Sequence, residues 1–471
     1  MMRVLFFKEI RDAFASRRFW VILALCLALI PLGVEVSLKD YQTRLQNYHE
    51  ALRIYQEQIK AASDVLYKGG AKAFAPPSPL SFMSLGLALI LPNVAETQAA
   101  YGEPPAVMRL GNNQGRDNLY EFFYGPLDLV FVVGVVMSLL AVIMSYGAIA
   151  GEKEQGTLGL VLSNSVPRAK LVLAKAAANG LVLMIPFLLA LTLSVALLEI
   201  QGAAPWGNSG GLTFMLLAIL LAMLLIGAFF NLGLLVSAMS KQAVTALVTL
   251  LLAWVFLYGV YPRLAAAAAQ VLYPVKSEAR VALEKAQIRA NMDKARESEI
   301  KKISETMPDD EKSDAYKDGE QKQLGIRNKF MAELEASWQT LERDVQARRN
   351  AMLALTADIA RLSPVSAFVR PLAELSRTGW LEYRRFDADA REFENILNRD
   401  VFTKQKLIEM KHGTTSGYDG DMGAAAPVFR YQPAAVDAVV RDILPDLVLL
   451  VLFNLVFFAA AFIAFIRYDA R

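Results

Sequence analysis

Six long apolar runs constrain this chain more than any other feature of its sequence. A helix needs about 20 largely apolar residues to cross the hydrocarbon core of a bilayer. Six stretches reach that length, at residues 19–38, 127–150, 171–198, 212–238, 243–261 and 444–466. Because the 55% of hydrophobic residues is gathered into such blocks, the 471-residue chain is typical of membrane proteins. The sequence therefore predicts an all-α membrane protein with six transmembrane helices.

The distribution of lysine and arginine predicts the orientation of these runs. Short flanks rich in Lys and Arg mark the cytoplasmic side of a membrane. Basic residues in such flanks are Arg17, Arg18, Arg168, Lys170, Lys241, Arg467 and Arg471. Both termini are thus predicted to be cytoplasmic, together with a short loop at residues 151–170 and a tail at 467–471. Two large segments, residues 39–126 and 262–443, are predicted on the opposite side.

The first 18 residues carry an amphipathic pattern. Val4, Phe7, Ile10 and Phe14 recur three or four residues apart, with charged residues largely between them. That spacing favours a helix lying in the membrane interface over residues 1–18. A plain cytoplasmic tail with chance periodicity is the alternative.

Both large polar segments contain long helical patterns. Apolar residues from Tyr41 to Leu66 recur at alternating spacings of four and three, which predicts a helical stalk continuing the first membrane helix. A second such seam runs from Met331 to Leu362, preceded by a charged helical run at about residues 265–305. A coiled-coil-like helical hairpin docked on the stalk is the economical interpretation. An isolated charged helix pair is the alternative, although its exposed Leu, Trp and Ile side chains would favour aggregation.

The composition argues against several classes of chemistry. The only cysteine is Cys26, and the two histidines, His49 and His412, lie in different polar segments. We therefore predict no metal site and no catalytic residue. No G-x-x-x-x-G-K-[ST] loop occurs, so no nucleotide site of that kind is expected. The net charge of +3 gives no reason to expect a nucleic-acid partner.

Polar residues inside the apolar runs are candidates for function because they are costly in lipid. Asn179, Asn231 and Asn454 lie deepest in the predicted spans. They either line a pathway or make hydrogen bonds between helices, the second being the simpler interpretation.

The stretch GEKEQGTL, residues 151–158, follows the second apolar run directly. Glu152 and Glu154 there face the negative end of the preceding helix dipole, which is unfavourable. The order G-E-K-E-x-G-T-L, then V-P-R-x-x-L-x-x-x-K into the third run, resembles the connection between the second and third helices of ABC-2 type permeases. More narrowly, the chain resembles the subgroup with large extracytoplasmic segments, related to gliding-motility and nitrous-oxide-reductase-maturation permeases.

In such permeases this connection forms a coupling helix that seats on a separate ATPase subunit. The resemblance assigns that role here to Glu152, Glu154, Gly156, Thr157, Leu158, Leu160, Pro167 and Arg168. Gly156 would allow a sharp turn and Thr157 could cap the new helix, whose positive N-terminus the two acids would face. Pro167 would stop the helix before the third span.

The resemblance implies a permease subunit in a bacterial inner membrane, surrounded by lipid. Its partners would be an ABC ATPase dimer and a second permease chain, identical or paralogous, with a periplasmic partner of the outer helices as a further option. ATP and Mg²⁺ would be held by the ATPase, and this chain would hold no cofactor. The alternative is a non-transporting scaffold that passes ATPase movements to envelope machinery through the helical stalk.

Overall fold

A computed structural model describes residues 2–61, 72–91, 93–98, 107–110, 125–159, 167–203, 210–306, 308, 313–397 and 429–468. Six of its helices are long and apolar enough to cross a membrane, which confirms the predicted fold class. They are α2 (Arg17–Ala61), α3 (Leu129–Glu154), α4 (Arg168–Ile200), α5 (Gly211–Met239), α6 (Ala243–Leu272) and α11 (Val436–Ile466).

The remaining helices and strands lie before, between and beyond these spans. The helices are α1 (Met2–Ala15), α7 (Glu278–Ser304), α8 (Asp314–Ala360), α9 (Ser366–Leu375) and α10 (Trp380–Leu397). Three short strands, β1 (Lys72–Phe74), β2 (Val94–Gln98) and β3 (Val107–Leu110), form an antiparallel sheet in the order β1-β2-β3. This sheet was not predicted, because strands of three to five residues are too short to show a clear alternation of apolar and polar residues.

The ends of the spans define two faces of the molecule. The loop face carries Glu154, Arg168 and Ile466, where α3 and α11 end and α4 begins. The hairpin face carries the opposite ends of the same helices, together with α7 to α10. α2 runs without interruption for 45 residues, so its membrane part and its stalk form one helix.

The centre of the bundle is α5, which packs against α11 and α3. Small residues allow these close approaches: a Cβ atom added to Gly233 would overlap the hydroxyl of Ser145, and one on Gly227 would lie 2.7 Å from Oδ1 of Asn454. Phe214 and Phe229 of α5 fill the surrounding core and are almost fully buried. Close packing of small residues is the usual way in which membrane helices associate, because lipid removes the hydrophobic driving force between them.

The hairpin consists of α7 and α8, which run antiparallel, with the Trp338 indole donating to the carbonyl of Lys285 at 3.3 Å. The predicted helical run at 265–305 is broken at residues 273–277, which contain Pro274. The expectation that the hairpin docks on the α2 stalk is wrong within the described residues. The main partners of α8 are α7 and the C-terminal half of α6, because α6 continues beyond its apolar run to Leu272.

Candidate functional site

The loop between α3 and α4 begins with a sharp change of chain direction. α3 stays helical through Glu154, and Gly156 then adopts a φ of +71°, a conformation that favours glycine. The Thr157 hydroxyl donates to the carbonyl of Glu152 at 3.3 Å. Leu158 is buried against Leu171 and Phe465. Leu160 and the rest of the predicted coupling helix, residues 160–166, lie outside the described residues.

A buried lysine connects the end of α3 to two other helices. Nζ of Lys175, on α4, lies 2.6 Å from Oε1 of Glu152 and 3.0 Å from Oε1 of Glu9, on α1. Its side chain is only 4% exposed. The second carboxylate oxygen of Glu152 is also buried and has no hydrogen-bond partner among the described residues. One cation therefore holds α1, the start of the loop and α4 together.

Glu154 has a different partner from Glu152. Its Oε2 accepts a hydrogen bond from the backbone N–H of Ala243 at 2.9 Å, and Ala243 is the first residue of α6. A carboxylate at a helix N-terminus is favoured by the helix dipole. Glu152 and Glu154 therefore contact Lys175 and α6, respectively, and the expectation that both acids face the N-terminus of the coupling helix stays a prediction because residues 160–166 lie outside the described residues.

Two further basic residues tie the loop to the ends of neighbouring spans. Lys153 donates to the carbonyls of Ala238 and Ser240, the latter at 3.2 Å, and its Nζ lies 4.2 Å from the centre of the Tyr468 ring. Arg168, which follows Pro167 at the start of α4, donates to the carbonyls of Ile466 and Tyr468 at 2.9 and 2.7 Å. Carbonyls at helix C-termini lack partners within the helix, so these contacts satisfy them. We call Glu9, Glu152, Lys153, Glu154, Arg168 and Lys175 the loop-face cluster.

Sequence reasoning missed half of this cluster. The sequence predicts no role for Glu9, Lys153 or Lys175, because nothing in their spacing shows which helices meet. A lysine about one turn inside the predicted span at residues 171–198 is the one signal that could have singled out Lys175, since a charge within a span requires a partner.

The asparagines inside the bundle form a separate contact. Asn231 on α5 donates to Oδ1 of Asn454 on α11 at 3.0 Å, and Asn454 donates in turn to the carbonyls of Leu224 and Leu450, both at 2.8 Å. Asn179 lies on α4, half-buried, and is not hydrogen-bonded to either of them in the described part of the chain. Hydrogen bonding between helices accounts for the pair.

The hairpin face is held by a second buried charge. Asp446 on α11 is fully buried and accepts from Nε of Arg361 at 3.1 Å and Nε of Arg370 at 3.0 Å. Each arginine has a further acid, since Arg361 pairs with Asp358 and Arg370 pairs with Asp442, both at 2.7 Å. These five residues, which we call the hairpin-face cluster, join α8 and α9 to the last span.

Glu374 lies beside this cluster, at the end of α9. Its carboxylate is 3% exposed and accepts from the backbone N–H of Trp380 at 2.9 Å. Burial, and to a smaller extent the charge of Asp442, raises the pKa of Glu374 to about 7. Among the residues that the structure describes, no group of His, Cys, Asp and Glu could hold a metal ion.

Six helices long enough to span a membrane, the N-terminal helix α1 and a charged loop tied to the ends of the spans define a multi-pass helical membrane protein. Residues 3–376 match the family described as ABC-2 family transporter protein. The chain belongs to this family and is the permease component of an ABC transporter, which implies an ABC ATPase as partner. The match begins in α1 and ends just after α9, so α11 lies beyond it. Comparison with curated proteins gives no significant match.

Proposed function

We propose that this chain uses ATP hydrolysis on a separate ATPase dimer to move cargo across, or out of, a bacterial inner membrane. ATP and Mg²⁺ are held by the ATPase subunits. A second permease chain, identical or paralogous, completes the transporter. The loop face is cytoplasmic and the hairpin face extracytoplasmic, in agreement with the Lys and Arg distribution in the short flanks.

The ATPase contacts the loop between α3 and α4 in this proposal. The proposed contact residues are Glu152, Glu154, Gly156, Thr157, Leu158, Leu160, Pro167 and Arg168. The observation that carries the proposal is the position of Lys175, whose Nζ is within 3.0 Å of acids from both α1 and α3. A displacement of the loop therefore reaches the interfacial helix and the second and third spans together.

The test is to purify the chain with its ATPase and to compare Glu152→Ala and Glu154→Ala with the parent. We expect weaker association or slower ATP turnover, because each change releases the loop from a neighbouring helix. Glu57→Ala is the matched control, since Glu57 forms an exposed pair with Arg53 on the α2 stalk. Unaltered association and turnover in both loop variants would remove the assigned role.

A non-transporting role has one observation in its favour. α8 has 47 residues, so it is about 70 Å long. Its C-terminal end is attached to α11 through the hydrogen bond between Arg361 and Asp446. Such a helix could pass ATPase movements to envelope machinery. Turnover stimulated by cargo in liposomes would favour transport, whereas turnover that depends only on an extracytoplasmic partner protein would favour the mechanical role.

A further inference from the structure

Two of the spans depart from α-helical geometry at neighbouring positions. α3 is π-helical at Val132–Met137, and α6 is π-helical at Phe256–Val260. A π turn takes up an extra residue, and such turns inside α-helices are frequently found at functional sites. We call these two segments together the π joint.

The two segments lie close together and are connected through residues within them and directly next to them. The Trp254 indole of α6 donates to the hydroxyl of Ser138 on α3 at 2.8 Å. The Trp254 ring stacks on Tyr258, with ring centres 5.3 Å apart, and a Cβ atom added to Gly134 would lie 4.0 Å from the Tyr258 ring. Trp254, Tyr258 and Gly134 therefore connect the π-helical part of α3 to the π-helical part of α6.

The α6 segment is also held from the hairpin. The hydroxyl of Ser363, which is fully buried just after α8, donates to the carbonyl of Leu257 inside the π segment at 2.7 Å. One turn further along α6, the Tyr261 hydroxyl donates to the carbonyl of Ile359 in α8 at 3.0 Å. The long hairpin helix thus ends directly on the π segment of α6.

At its other end, α3 reaches the loop-face cluster. The backbone N–H groups of Ile149 and Ala150 donate to the Ser237 hydroxyl of α5, at 3.0 and 2.9 Å. Less than one turn separates this attachment from the Glu152 pair with Lys175. α3 is therefore a continuous element between the coupling loop and the π joint.

We propose that the π joint transmits movement between the coupling loop and the hairpin. The route runs from Glu152 along α3 to Ser138, across the Trp254 hydrogen bond to α6, and through Ser363 to α8. Packed helices have discrete arrangements, so a displacement of α3 moves α6 through this bond instead of being absorbed locally. This inference rests on the proposed function, because the ATPase must act on the loop.

The experiment uses the full chain in complex with its ATPase, after Cys26→Ala. Spin labels on Lys322→Cys in the hairpin and Leu212→Cys at the hairpin-face end of α5, both exposed positions, report the distance between hairpin and bundle. Distances are measured with and without Mg-ATP, in the parent and in Trp254→Phe, Ser138→Ala and Ser363→Ala. Trp254→Phe keeps an aromatic ring and removes only the N–H donor.

We expect Mg-ATP to shift the distance in the parent. In each joint variant the ratio of shifted to unshifted molecules should fall about 2- to 30-fold, the range found for residues that carry coupling. Ser138→Thr, which keeps the hydroxyl, should retain the shift. Matched controls are Trp20→Phe and Thr249→Ala, because Trp20 is exposed on α2 and the Thr249 hydroxyl bonds only within its own helix.

Outcomes for the two proposals are distinguishable. A complex with normal ATP turnover whose hairpin does not respond in the parent, or responds equally in the joint variants and the controls, overturns the π joint and leaves the permease function standing. If no complex with the ATPase forms, the proposed function fails and the π joint fails with it. A folding defect is recognised by comparing the unfolding temperature of each variant with that of its control.

Discussion

The loop-face cluster and the hairpin-face cluster each have at their centre a buried charge shared between two partners of opposite sign, yet the two clusters are paired to different degrees. On the loop face, Lys175 serves two acids, and one oxygen of Glu152 is buried without a hydrogen bond among the described residues. On the hairpin face, both arginines around Asp446 have a second acid. Among the described residues, the loop-face cluster therefore keeps a buried carboxylate oxygen without a hydrogen bond, whereas every charged group of the hairpin-face cluster is paired.

The most direct test of this difference is to remove the central charge of each cluster. Lys175→Met leaves two acids with no other ion pair in the described part of the chain, and breaking a buried pair in this way costs about 3–5 kcal/mol. Asp446→Asn should cost less, because Arg361 and Arg370 keep Asp358 and Asp442. Thermal unfolding in detergent measures both.

The control for this pair is Lys39→Met, since Lys39 is 72% exposed and pairs with Glu35 on the surface. Its effect should stay below about 1 kcal/mol. Equal destabilisation by Lys175→Met and Asp446→Asn would contradict the claim that the faces differ in pairing.

The second prediction is a pH dependence of stability that arises on the hairpin face alone. The pKa of Glu374 is raised from 4.5 to about 7, so the unfolded chain releases this proton at lower pH than the folded one. The stabilisation of the folded state by protonated Glu374 is complete below pH 4.5 and is lost as the pH rises to about 7. The loss amounts to about 3 kcal/mol.

Fluorescence of Trp380, whose backbone N–H donates to Glu374, reports local unfolding between pH 5 and pH 8. Glu374→Gln should flatten this pH dependence, whereas Glu305→Gln, at an exposed position at the end of α7, should leave it unchanged. The same slope in Glu374→Gln and the parent would exclude Glu374 as its source.

The third prediction compares Glu152 and Glu154, the two acids at the end of α3. Glu152→Gln removes a charged partner of a buried lysine, which is worth about 1.5–3 kcal/mol. Glu154→Gln keeps a carbonyl acceptor for the N–H of Ala243, so only the dipole contribution of about 0.3–1 kcal/mol is lost. Glu152→Gln should therefore have the lower unfolding midpoint of the two variants. The reverse order would mean that the ion pair between Glu152 and Lys175 does not stabilise the fold.

The smallest expected loss of stability concerns the asparagine pair, which lies between the loop face and the hairpin face. Asn454→Ala removes the hydrogen bond to Asn231, and such bonds in membranes contribute about 0.6 kcal/mol on average. Asn179→Ala is the control, because it has no bond to this pair in the described residues and should change stability less. A larger loss of stability in Asn179→Ala than in Asn454→Ala would contradict this prediction.

The fold was predictable from the sequence to the extent that it depends on local pattern. The lengths of the apolar runs predicted six spans, and the seams in the polar segments predicted long helices. Partner choice was not predictable: the seam of α8 shows that it must pack, but not that it packs on α6 instead of α2. The loop-face cluster was not predictable for the same reason, because Glu9 and Lys175 are 166 residues apart and only tertiary structure joins α1 to α4.

The central claim is that an ATPase contacts the loop after α3. In a Cys26→Ala background, Gln155→Cys, at an exposed position of that loop, should form a short-range cross-link to the ATPase subunit in the purified complex. Lys322→Cys on the hairpin should form none. A complex that assembles but is cross-linked from Lys322→Cys and not from Gln155→Cys would contradict the account.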